Sequence, residues 1–246
     1  MTYKLATPFR AGLVLAASLS PLCIAQPPMN RVTFTHVKPD MLAEWVDLQK
    51  NEVVPALKKA GQKGRTVYSS GLFGNSYEYV TITPMENFAQ FDAGNPLTKV
   101  LGEGASARLG EKLRKCTLSA QSFQSTRLAD ISYPDPANPW PQIMLSTRVR
   151  VAPGKMADFE NIMKTDILPT YKKAKVNYTV NRRGLGANTN DVTISVSYAK
   201  YADLDAGNPM VKALGPDGAA KVLAKFTGVA TLIEQVVRNR QPDLSF

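Results

Sequence analysis

His36 is the only histidine in the 246 residues, so side-chain acid–base chemistry near neutral pH has to start from it. It lies in Thr33-Phe34-Thr35-His36-Val37, an alternating stretch of β-strand type. Three arginines can supply electrostatic partners. Arg148 and Arg150 alternate along Thr147-Arg148-Val149-Arg150-Val151, and Arg183 ends another strand-like run. Guanidinium groups bind planar anions bidentately, so this set points to a carboxylate- or phosphate-bearing ligand. The smallest enzyme site these residues could make is His36 as general base, with Arg150 or Arg148 stabilising developing charge. Arginines beside the imidazole would disfavour its protonation and keep it a base. The competing structural reading leaves His36 as a solvated strand end and the arginines at solvent-facing positions.

Other chemistries find no residues. One histidine cannot supply a zinc site of usual composition, and no metal site is expected. No Walker loop and no Gly-x-Ser-x-Gly elbow occur, and a lone histidine leaves little room for a Ser-His-Asp triad. Gly184-Leu185-Gly186-Ala187-Asn188-Thr189 lacks the third glycine of a dinucleotide loop. The chain carries 30 basic and 20 acidic side chains, but the basic ones are scattered without a nucleic-acid motif, so nucleic acid is not an expected partner.

Residues 1–25 read as a secretory signal. Lys4 and Arg10 precede the short apolar run Ala11–Leu19, and Cys23-Ile24-Ala25 offers a cleavage site. Removing them takes the basic count from 30 to 28 against 20 acids, a net of +8. The expectation is an exported protein, periplasmic or extracellular, without a membrane span after cleavage. Of the two cysteines only Cys116 then remains, which leaves no intramolecular disulfide and suits a buried structural thiol.

The elements that must position these side chains occur twice. Asp92-Ala93-Gly94-Asn95-Pro96 recurs as Asp205-Ala206-Gly207-Asn208-Pro209, a shift of 113. At that shift Gly71-Leu72 falls on Gly184-Leu185, and Asp130-Ile131-Ser132 on Asp243-Leu244-Ser245. Nearer the N-terminus the shift is 114, and Val53-Val54-Pro55 meets Ile167-Leu168-Pro169. Register held over both halves defines a duplication. The boundaries are 31–133 and 142–246, with a proline-rich linker at 134–141. Each copy reads strand, helix, strand, strand, helix, strand, and Pro55 and Pro169 predict a kink in the first helix of each.

This β-α-β-β-α-β order is the ferredoxin-like arrangement, whose sheet has helices on one face and needs cover on the other. On element order and duplication the chain resembles the dimeric α/β-barrel superfamily in tandem-fused form. That superfamily includes antibiotic-biosynthesis monooxygenase-like, stress-responsive barrel and NIPSNAP-like proteins. The resemblance implies an α+β fold in which two modules pack sheet to sheet as one pseudo-dimeric barrel with a ligand cavity inside. No match to the working Asn, Trp and His set of the haem-degrading or cofactor-free branches is found, so no site residue and no cofactor is carried over.

With that packing, strand alternation turns Phe34 and His36, and Arg148 and Arg150, to the interior, with Tyr68 opposite Asn181 and Ser70 opposite Arg183. Two functions follow. One is a binding barrel for a small anionic or amphipathic ligand held by Arg148, Tyr68, Asn181 and Arg183. The other is a cofactor-free oxygenase or cyclase using His36 with Arg150. A fused pair closes its own barrel, so a monomer is the default, while exposed sheet edges could support a homodimer.

Overall fold

The structure is a computed structural model and describes residues 28–246. The expected signal segment lies outside the described residues. Among the described residues no helix is long and apolar enough to cross a membrane.

Eight strands form the framework: β1 (Met29–Val37), β2 (Thr66–Phe73), β3 (Glu78–Met85), β4 (Thr117–Arg127), β5 (Ile143–Val151), β6 (Tyr178–Arg183), β7 (Asp191–Tyr198) and β8 (Ala230–Arg240). Every neighbouring pair is antiparallel, and the sheet closes into a barrel in the order β1-β3-β2-β8-β5-β7-β6-β4. β1–β4 of the first copy are therefore contiguous, as are β5–β8 of the second. They meet at two seams, β2 with β8 and β4 with β6. Alternating directions make β1, β2, β5 and β6 run the same way, so the two copies are related by rotation about the barrel axis. Equivalent residues consequently stand at the same barrel end on opposite walls.

Helices cover the outside. The first copy has α1 (Leu42–Leu48) and α2 (Val54–Lys59), then α3 (Pro96–Leu101) and α4 (Glu103–Cys116). The second has α5 (Met156–Ile162), α6 (Leu168–Lys173), α7 (Ala202–Asp205) and α8 (Pro209–Ala224). The expected proline kinks are π-helical turns, Gln49–Val53 and Met163–Ile167. Each precedes a proline at the start of the next helical segment, where no amide hydrogen is needed. Outward residues of the strands meet these helices. Val37 packs with Trp45, Leu48 and Leu109, and Val151 with Phe159 and Met163. Cys116 is buried in the first of these cores, a structural thiol whose pKa burial pushes up. In the Asp-Ala-Gly-Asn-Pro loops, Asn95 and Asn208 accept hydrogen bonds from the amides of Leu97 and Met210, capping α3 and α8. Gly94 and Gly207 take φ of 81° and 78°, and the loops are helix starts.

The repeated Asp-Ile-Ser and Asp-Leu-Ser have a reason to match. After β4 the chain crosses to the second copy and buries Ile131 in its core, while the C-terminal arm buries Leu244 in the first. The Ser132 and Ser245 hydroxyls accept hydrogen bonds from the amides of Val180 and Val67, 2.9 and 3.0 Å away. Tyr133 exchanges two backbone hydrogen bonds with Tyr178, and Phe246 two with Arg65. The halves are latched by reciprocal arms. Leu244→Ala removes a leucine that is 2% exposed, and should cost about 3 kcal/mol. Because each arm serves the other half, denaturant melts should still show one transition; two separated transitions would mean the halves fold independently.

Candidate functional site

The barrel interior is built by the alternation that puts every second strand residue inside. Its apolar floor is Val32, Val80 and Phe123, with Phe34 and Ile82 packed against them. The open space is about 90 Å³. Asn30, Phe34, Tyr68, Arg127, Met144, Asn181, Arg183 and Arg238 line it, and no aspartate or glutamate among the described residues does. The proline-rich segment expected only as a linker has a structural task here. Pro139, Trp140 and Pro141 also line the space, and so close the end opposite the His36 mouth. Tyr68 donates to the Pro141 carbonyl at 3.1 Å, and Arg240 to that of Trp140 at 3.3 Å.

Of the residues singled out from the sequence, Tyr68, Asn181 and Arg183 line this cavity. Arg183 is 8% exposed and makes no ion pair among the described residues. Its Nε and Nη2 both lie 3.3 Å from the Thr193 hydroxyl, and its guanidinium sits 4.6 Å and 5.5 Å from the Phe123 and Phe34 ring centres. Those ring faces stabilise a cation that burial penalises. Burial, with Arg148 next, lowers its pKa to about 10, so it stays charged at neutral pH. Arg148 sits outside the cavity lining, 3.9 Å from Glu234.

The expected pairing of His36 with an arginine is corrected. Arg150 has 48% of its side chain exposed at the barrel mouth and is held by Asp191, through bonds of 2.7 and 3.2 Å. As the equivalent of His36, it occupies the opposite wall. His36 instead meets an acid: its Nε2 is 3.1 Å from Glu78 Oε2, and its Nδ1 is 3.1 Å from Ser119 Oγ. The other oxygen of Glu78 accepts from Arg238 at 2.8 Å, and Arg238 also donates to Ser70 at 2.7 Å. A connected row thus runs from the exposed Ser119 through His36 and buried Glu78 to buried Arg238, which lines the cavity. The sequence offers no motif for a hydroxyl, an imidazole and a carboxylate in line, yet the three lie together here. Glu78 is the residue that sequence reasoning missed, along with Arg238 and Ser119. One signal was available. Glu78 and Asp191 are repeat equivalents, both acidic, and each opens a strand beside His36 or its equivalent Arg150.

A larger hollow of about 320 Å³, lined by Lys175, Asp203 and Lys212 among others, opens on the outside of the second copy, away from these groups.

No family model matches the chain, and no curated protein sequence does. Solved structures match its fold. A candidate monooxygenase from Lactobacillus acidophilus NCFM superposes with a TM-score of 0.55 at 10% identity, covering 89% of this chain and 96% of that one. A mutant chlorite dismutase from Candidatus Nitrospira defluvii gives 0.54 at 10%, covering 87% and 92%. An anthrone oxidase-like protein gives 0.52 at 10%, covering 88% and 92%. These are likenesses of fold alone: an α+β chain closing one eight-stranded antiparallel barrel.

The buried phenols give a pH test. Burial raises the pKa of Tyr68, with Arg240 opposing, and likewise that of Tyr178; Tyr171 is pushed up to about 12. The folded state then holds these protons more tightly than the unfolded chain, whose tyrosines titrate near about 10. Their contribution is intact below that pH and declines as pH rises above it. The tyrosine contribution to thermal melts should fall beyond about pH 10. Tyr68→Phe should make that fall shallower, and an unchanged slope would show that Tyr68 ionises normally in the native state.

Proposed function

We propose that this protein is an exported, tandem-fused ferredoxin-like barrel that binds a small anionic ligand in its interior. One observation carries the reading: of the three arginines that line the cavity, Arg238 is paired with Glu78, while Arg127 and Arg183 have no acid partner among the described residues. Like charges gathered in a low-dielectric space repel one another, and an anion relieves that repulsion. Thermal-shift measurements with matched pairs test it, such as propionate against propionamide. Small anions should raise Tm where their neutral amides do not, and equal shifts for the two would remove the reading.

Among solved structures of this fold is one described as a haem-binding protein, from Thermus thermophilus. The residues of this chain do not fit that group. The interior offers about 90 Å³ where cofactor pockets run to about 300–1,000 Å³. His36, the sole histidine, has both ring nitrogens engaged by Ser119 and Glu78.

The enzyme reading keeps one observation in its favour, the Ser119–His36–Glu78 row at the open mouth. With Glu78 accepting from Nε2–H, Nδ1 is the basic nitrogen, facing a hydroxyl proton. A cofactor-free oxygenase would use it to deprotonate a phenolic or activated carbon acid arriving from outside. Anthrone is the first probe, given the anthrone oxidase-like neighbour. Oxygen uptake should be lost in His36→Ala, and uptake that persists there would end this reading.

A further inference from the structure

The duplication sets up a comparison within the molecule, because each seam joins the second strand of one copy to the fourth strand of the other. Where β4 meets β6, Ser125 stands opposite Arg183. Where β2 meets β8, Ser70 bonds Arg238. At the shift of 113, Ser70 is the equivalent of Arg183 and Ser125 that of Arg238, so each seam holds a serine from the first copy and an arginine from the second, with the strand positions exchanged.

The two arginines are nevertheless treated differently. Glu78 binds Arg238 at 2.8 Å and cancels its charge. Asp191, the equivalent of Glu78, is occupied by the fork of Arg150. Arg183 is left more than nine-tenths buried, aimed into the cavity, and held only by the Thr193 hydroxyl and two phenyl faces. Arg127, the other arginine of the lining without an ion pair among the described residues, is only half-buried. A desolvated guanidinium with unspent donors is a carboxylate receptor.

We infer that the interior takes one compact monocarboxylate per chain, clamped by Arg183, an assignment that rests on the anion-binding reading above. Charge, wall chemistry and size each narrow the ligand. One buried uncompensated cation balances one negative charge. The apolar walls Val32, Phe34, Val80, Ile82 and Met144 favour a hydrocarbon end over the all-polar surface of phosphate. The space of about 90 Å³ is small beside ligand pockets of about 300–1,000 Å³, which favours a compact molecule.

Isothermal titration of the protein with propionate, decanoate and inorganic phosphate, with Arg183→Met and Arg182→Met alongside, tests the inference; Arg182, the next residue on β6, lies outside the cavity lining and donates to the Thr189 carbonyl. Propionate should bind at one per chain, at least tenfold more tightly than decanoate or phosphate. Arg183→Met should lose at least tenfold for propionate, and Arg182→Met less than threefold. Replacing a buried cation that has no acid partner with methionine leaves no charge stranded, so the Tm of Arg183→Met should hold or rise. A fall of more than about 5 °C would make Arg183 structural and overturn the assignment, as would two propionates per chain or full binding by Arg183→Met. If decanoate or phosphate binds and propionate does not, the compact monocarboxylate is wrong while the interior anion site stands. If none of the three binds, both readings fall.

Discussion

Closure of the barrel depends on two short seams. Within each copy the ladders are long: β1 pairs with β3 and β4, and β5 with β7 and β8, over most of their lengths. Between copies, β4 and β6 share three residue pairs, and β2 and β8 share two before the register shifts. So few ladder bonds hold two sheets together weakly, because each net backbone hydrogen bond contributes only about 1 kcal/mol. The exchanged arms make up the difference. Ile131 and Leu244 each bury a full side chain in the opposite copy, about 1.5–3 kcal/mol apiece, and the serine and backbone bonds around them fix the angle at which the sheets meet. Without that angle there is no shared interior.

The same geometry explains why the interior can be cationic. Desolvating a guanidinium costs several kcal/mol unless its donors and charge are met. The fold meets this in two ways within one ring of strands. Arg238 is given a carboxylate and a hydroxyl, a fully bonded group that ties β8 to β2 and β3. Arg183 is given ring faces, which favour a cation without competing for its hydrogen bonds. The first arrangement is self-contained. The second leaves guanidinium donors with no acid partner among the described residues. Phe34 serves both, since Arg238 also lies 5.1 Å from its ring centre, so one aromatic side chain sets the spacing between the two cations.

Much of the framework is legible without coordinates. The repeat, the element order, and the turn of Phe34 inward and Val37 and Val151 outward follow from period and register alone. The site is less legible, for a physical reason. Alternation says which face a residue occupies, but not which residue across the sheet it meets. The repeat equivalence of His36 and Arg150 suggests a shared pocket, yet equivalence under an axis along the barrel puts them on opposite walls. Glu78 is 42 positions away in the chain and adjacent through the β1–β3 register, which no local pattern reveals. The closed end is hidden likewise. Four prolines in the 133–141 segment exclude regular structure but do not say where the chain lies, and it is the reach from β4 to β5 across one barrel end that lays Trp140 over the cavity.

Duplication supplies a further way to separate scaffold from site. Positions where the copies agree, such as Ile131 with Leu244, Asn95 with Asn208 and Ser132 with Ser245, do mechanical work twice. On the inner face and its mouth the copies differ in charge instead: Phe34 against Arg148, His36 against Arg150, Ser70 against Arg183, Ser125 against Arg238. A purely structural barrel would gain nothing from breaking its symmetry there, because an inward arginine costs desolvation wherever it is placed. These differences gather cations toward one interior and set a histidine on one wall only. A fold that preserves symmetry where its halves are latched and its helices capped, and abandons it where a ligand would sit, has separated its architecture from its chemistry residue by residue.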